Sequence, residues 1–194
     1  VDLVTARGSS PAPSVPARTG TAALLGIAAA GGAVAVAIGV YGRLHEPVGV
    51  AVNIAGFSGP LEVKVWLTTV AAALAVVQAV SAAAMYGRLP LARGAAWWAP
   101  AHRWSGRLAF LVTVPVAVHC LYALGFQDYD ARVLAHSLLG CAFYGAFTVK
   151  MLGLSRPGMP GWFLPVAGGA LLALLTGLWL TSSLWFFTTV GIRF

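Results

Sequence analysis

Five long stretches of this chain contain no Asp, Glu, Lys or Arg: residues 19–42, 65–87, 108–127, 133–149 and 157–192. A helix crosses the hydrocarbon core of a bilayer with roughly 17–25 apolar residues, whereas a spanning strand needs only about 9–11. Within that core the backbone must satisfy its own hydrogen bonds, which a helix does inside one segment. The stretches therefore predict an all-α integral membrane bundle of five transmembrane helices. They are placed at about 21–41, 63–86, 105–126, 131–151 and 162–187.

Composition leaves no room for a second kind of domain. The chain is 59% hydrophobic and 9% charged, against about 25% charged residues in an ordinary soluble domain. Residues 21–194 are expected to form one five-helix domain. Residues 1–20, with Ser9, Ser10, Pro11, Pro13, Ser14, Pro16 and Gly20, lack apolar periodicity and read as a flexible cytoplasmic tail. The run 21–41 is longer than the roughly 7–15-residue core of a signal peptide, so it reads as a span.

The net charge of +7 does not point to nucleic acid, because the basic residues sit at helix ends and form no stripe. Their distribution predicts orientation. With the N-terminus inside, Arg7, Arg18, Arg88, Arg93, Arg103, Arg107, Lys150 and Arg156 lie on the cytoplasmic side. Arg43, Lys64, Arg132 and Arg193 lie outside, along with Glu46, Glu62, Asp128 and Asp130. The positive-inside rule thus favours N-in, C-out, in the plasma membrane of the cell. Cys120 and Cys141 fall at different depths of helices three and four, too far apart for a disulfide, and read as small buried residues.

The connecting segments carry interfacial signals. Small residues in helix one (Ala28-Ala29-Ala30-Gly31-Gly32) predict tight packing in the bundle. In the outer loop 42–62, the apolar run Val48 to Ala55 is expected to lie in the interface or fold back over the bundle. His45 there reads as a surface or capping residue, with a role in quinol proton release as the alternative. Trp66 stands where an interfacial tryptophan belongs. The inner loop 87–106 interleaves Arg88, Arg93 and Arg103 with Trp97, Trp98 and Trp104, the composition of a membrane anchor or of a contact with acidic lipid or a partner subunit. Trp185-Phe186-Phe187 reads as an outer aromatic belt.

The chemistry is carried by helices three and four, joined by the short polar turn Gln127-Asp128-Tyr129-Asp130. Ionisable side chains well inside spans are rare and face bundle interiors or cavities. Here they are His119 and His136, equidistant from the turn centre between Gln127 and Asp128. In an antiparallel pair of neighbouring helices they share one depth, about 7–8 Å below the outer helix ends. Two imidazoles at one level suit the two axial positions of haem iron. The expected cofactor is one haem b, with its propionates toward Arg132, Tyr122 or Tyr129. Gly140 and Phe143, at i+4 and i+7 from His136, share its helical face, and Gly140 gives a macrocycle access to the backbone. Pro115, four residues before His119, removes a helical hydrogen bond and is expected to kink helix three and splay the hairpin. The competing readings are histidines satisfied by carbonyls or by each other, or a copper or zinc site, for which no third ligand stands out.

His102 lies seventeen residues before His119, a net rotation of about 260°. At the inner end of helix four it would meet Lys150 and Met151, so His102 with Met151 is the candidate for a second haem site. The bland alternative is an interfacial histidine at the start of helix three.

The run His102-Arg103-Trp104-Ser105-Gly106-Arg107-Leu108-Ala109 through His119 resembles transmembrane cytochromes b. In particular it resembles ferric-reductase-like bundles, where His-Arg-x-x-Gly often opens a haem-binding helix. From His102 through His136-Ser137-Leu138-Leu139-Gly140 to Trp185-Phe186-Phe187 the chain also resembles a family of small five-helix membrane proteins of actinobacteria. The cytochrome resemblance implies an electron-transfer subunit relaying electrons between quinol and an extracytoplasmic redox partner, such as an iron–sulfur or c-type cytochrome protein. A non-redox accessory or assembly subunit of a respiratory membrane complex, and a quinone or metal reductase, are the alternative expectations.

Overall fold

The computed structural model describes residues 20–51, 53–90 and 95–194. The expected tail, through residue 19, and Arg93 lie outside the described residues. Five helices are long and apolar enough to cross a membrane: α1 (Thr21–Leu44), α2 (Pro60–Met85), α3 (Trp98–Leu124), α4 (Ala131–Leu154) and α5 (Phe163–Thr189). The described residues contain no strand. This is an all-α, multi-pass membrane bundle. Large apolar side chains such as Leu25, Val36, Val76, Leu111 and Val166 point outward, as they do when lipid is the solvent.

The helices run alternately up and down. We call the end bearing Leu44, Pro60, Leu124 and Ala131 the upper end, and the end bearing Thr21, Met85, Trp98 and Leu154 the lower end. Local chemistry sets the helix starts. Pro60 opens α2, where its missing N–H costs nothing, and Glu62 follows in the first turn. Asp130 caps α4, its carboxylate accepting the Val133 N–H at 2.7 Å.

α3 begins at Trp98, seven residues before the expected 105, so the inner connection is shorter than 87–106. The reason is Pro100. Proline reads as a breaker, but within a first helical turn its absent N–H would have had no intrahelical partner. His102 consequently sits inside α3 and not at its margin.

α2 packs against α3, α4 against both α1 and α5, and α2 touches α5. α3 and α4 are not a close-packed pair. Their backbones stay apart and they meet through large side chains: Phe110 stacks on Phe147 at 3.9 Å, and the Tyr144 hydroxyl donates to the Thr113 carbonyl at 3.0 Å. The tightest backbone approach is between α1 and α4. A Cβ on Gly31 would lie 2.6 Å from the Gly145 carbonyl oxygen, and one on Gly145 would lie 2.6 Å from that of Gly31. The packing expected of helix one is thus met on one face, while Gly26 and Gly32 have nothing within 4 Å of a Cβ position. Ala71, Ala75, Phe143 and Leu175 form the central core, and Ile27, Phe163 and Ala167 a second cluster at the lower end.

At the upper end the chain folds back on itself. The amides of Val48 and Gly49 donate to the carbonyls of Tyr122 and Ala123 at 3.3 and 3.1 Å. Gly125, at φ 71°, turns the chain out of α3 so that the Phe126 N–H reaches the Gly42 carbonyl at 2.7 Å. Trp66 stacks on Phe194 and donates to the Arg193 carbonyl at 2.8 Å. Of the aromatic belt, Trp185 is exposed but Phe186 is buried. Cys120 and Cys141 are free thiols.

Candidate functional site

The helices leave α-geometry at two places among the described residues. α3 widens to π-helix over His119–Leu124, and α5 does so over Leu180–Leu184. Such segments are rare and frequently mark functional sites. Both lie toward the upper ends of their helices. The first opens on His119, four residues after Pro115, where the His119 N–H reaches the carbonyls of Pro115 and Val116. The second carries Thr181, whose Oγ1 lies 3.0 Å from Nδ1 of His136.

That contact determines the tautomer of His136. The Thr181 hydroxyl has one proton, and it lies 2.7 Å from the Gly177 carbonyl oxygen, which can only accept. The hydroxyl oxygen is left as acceptor, so His136 Nδ1 carries the proton. Nε2 therefore carries a lone pair and is free to ligate. The backbone of the same threonine holds Arg132: its NH1 donates to the Thr181 carbonyl at 2.7 Å, its NH2 lies 3.8 Å from Asp130, and its guanidinium lies 3.9 Å over the Trp185 ring. One residue of α5 thus fixes both the imidazole and the neighbouring cation of α4.

His119 makes no side-chain hydrogen bond with the described residues. It is neither satisfied by a carbonyl nor paired with His136. The level of the two histidines follows from the side chains below them. Phe110 meets Phe147 and Thr113 meets Tyr144. Carried upward, this register sets His119 level with Leu138, two residues from His136, a difference of about 3 Å.

The other expected residues are distributed differently. Pro115 is exposed. Phe143 is in the central core, and a Cβ on Gly140 would meet Leu178 of α5 at 3.9 Å. The His136 face of α4 therefore looks toward α5 as well as toward α3. His45 stacks between Tyr41 and Tyr122, with ring centroids at 5.1 and 4.9 Å. Its Nε2 donates to the Tyr122 carbonyl at 3.2 Å, so it braces the π segment of α3. Among the described residues no three His, Cys, Asp or Glu side chains come together as a metal cluster.

His102 repeats the device of His136 at the lower end. Its Nδ1 lies 2.9 Å from Ser81 Oγ, and that hydroxyl lies 2.6 Å from the Val77 carbonyl. By the same reasoning Nδ1 is protonated and Nε2 has the lone pair. Gln78 ties the turn down, with its amide donating to the His102 carbonyl and to Ser105 Oγ. Met151 is 47% exposed. Lys150 is the α4 residue whose charge acts on His102. Thr181 and Ser81 escaped the sequence reading. Their signal was present as hydroxyls in otherwise apolar runs, Ser81 standing alone and Thr181 opening the run Thr181-Ser182-Ser183.

A model of the family of unknown function DUF6529 matches residues 24–194. The chain belongs to that family. The match runs from within α1 to residue 194 and takes in the positions of His102, His119 and His136. No characterised protein and no solved structure matches the chain.

Proposed function

We propose that this chain is a membrane electron-transfer subunit of cytochrome b type, with one haem b held between His119 and His136. The observation that carries the reading is the His136–Thr181 contact, which leaves Nε2 of His136 a free base; His119, on α3, makes no side-chain hydrogen bond with the described residues. Metal-ligating histidines usually donate their other ring N–H to an acceptor that fixes tautomer and orientation; Thr181 is such an acceptor. The donor set therefore fits the cofactor.

Haem bound there would supply one-electron exchange, and His119 and His136 are the residues that would hold its iron. The protein's part is to present the two bases at one level, to exclude water with the surrounding apolar helices, and to set a cation, Arg132, beside the site for the propionates. The electrons pass between a quinol and an extracytoplasmic redox partner, because the charge distribution orients the upper end outward across the plasma membrane, N-in and C-out.

The test is the absorbance spectrum of protein purified from cells supplied with haem. A six-coordinate haem b spectrum, lost in both His119→Ala and His136→Ala, supports the assignment. Colourless wild-type protein that co-purifies with a respiratory complex would replace it with the accessory-subunit reading. Reduction of the haem by quinol, with turnover of a soluble acceptor, would make the chain a reductase.

A further inference from the structure

We propose that the groove between the lower halves of α1 and α4 is a binding site for one anionic phospholipid. Its phosphate would rest on Arg156 and one acyl chain would lie along the Ala22–Ala30 face of α1. This does not depend on the haem assignment.

The groove is a consequence of sequence. α1 and α4 are pinned at the Gly31–Gly145 crossing, and below it the small residues Ala22, Gly26 and Ala30 of α1 flank buried Ile27. Ala22, Gly26 and Ala30 form one wall, Leu152 the other, and buried Ile27 the floor, with Arg156 completing the lining of a cavity of about 530 Å³. A Cβ on Gly26 would meet nothing within 4 Å. The Ala22–Ala30 wall runs about 12 Å along the helix axis, the shape of an apolar slot parallel to the membrane normal. Nothing polar lines it except Arg156.

Charge selects the occupant. The acidic residues among those described, Glu46, Glu62, Asp128 and Asp130, all belong to the upper end. Among the described residues the lower end holds Arg88, Arg103, Arg107, Lys150 and Arg156 and no carboxylate, and the ion pairs, Arg43–Asp128 and Arg132–Asp130, are both at the upper end. Arg156 is thus an exposed guanidinium in a field of one sign, at the mouth of an apolar slot and at headgroup level. A free phosphate has no use for the slot, and a zwitterionic lipid brings its own cation into a positive field. A phosphodiester with one net negative charge and an acyl chain matches both features.

The test uses the whole chain in detergent micelles, titrated with phosphatidylglycerol or with phosphatidylcholine of the same acyl chains and read by native mass spectrometry. The expected result is a one-to-one adduct with phosphatidylglycerol held about fivefold to tenfold more tightly than phosphatidylcholine, the effect of a basic side chain or two at an anionic headgroup. Arg156→Gln should bring the two lipids to equal affinity. Gly26→Leu fills the slot without touching charge and should weaken both lipids alike. Circular dichroism and gel filtration check that each variant keeps its fold. Equal binding of the two lipids to the wild type, a preference that survives Arg156→Gln, or binding indifferent to Gly26→Leu would overturn the proposal. So would displacement of the lipid by inorganic phosphate, or a chain dimer without lipid that Gly26→Leu abolishes.

Discussion

Thr181→Val is the substitution that isolates what the site depends on. It keeps the β-branched shape and removes only the hydroxyl. Arg132 is untouched, since it bonds the Thr181 carbonyl and not the side chain. What changes is His136. Its Nδ1–H loses the acceptor 3.0 Å away, in a span that offers no water to replace it. Leaving such a donor unsatisfied costs about 1–3 kcal/mol, and at 1.4 kcal/mol per factor of ten this is roughly 5–150-fold in affinity. Removing an outer-shell partner of a metal-bound histidine typically costs about 10–100-fold, so two independent arguments give one range. The assay is titration of haem-free protein with haemin, followed by the Soret band. The wild type should bind about 10–100-fold more tightly than Thr181→Val, and Thr181→Ser, which restores an acceptor, should recover most of the loss. Unchanged affinity in Thr181→Val would refute the argument that this hydroxyl prepares His136 as a ligand.

Two further outcomes are expected. Gly145→Val drives a Cβ to 2.6 Å from the Gly31 carbonyl oxygen and 3.0 Å from the Ala35 Cβ. Backbone cannot yield as a side chain does, so thermal unfolding in micelles should show a loss of about 1–3 kcal/mol, whereas Gly32→Ala, in open space, should show none. His102→Ala should leave the ratio of haem to protein at one; a fall from two to one would assign a second haem to the lower end.

Much of the architecture was legible because lipid imposes a length and a polarity that few sequences meet by chance. Span ends were read to within three residues everywhere except the start of α3, where the Arg- and Trp-rich run through Trp104 was assigned to the inner loop. The short turn joining α3 to α4 was legible too, but the register of Phe110 with Phe147 and Thr113 with Tyr144 offsets His119 from His136 by about 3 Å where the turn predicted no offset. Which helices pack closely was not. A helix apolar on every side carries no periodic mark of its buried face, so the separation of α3 from α4 and the pairing of α4 with α1 had no sequence signal beyond scattered glycines. The π segments are decided by competition between helix hydrogen bonds and packing, and only Pro115 hinted at one of them. Phe143 was placed by i+7 geometry alone, and the core drew it in with Ala71, Ala75 and Leu175.

The central claim is that imidazoles of α3 and α4 bind the two faces of one haem, and electron paramagnetic resonance of the oxidised protein addresses it most directly. A bis-imidazole ferric site gives a low-spin signal, and loss of either ligand in His119→Ala or His136→Ala should convert it to high spin or remove it. A low-spin signal that persists unchanged in the double substitution would show that the iron is held elsewhere, and the account would fail.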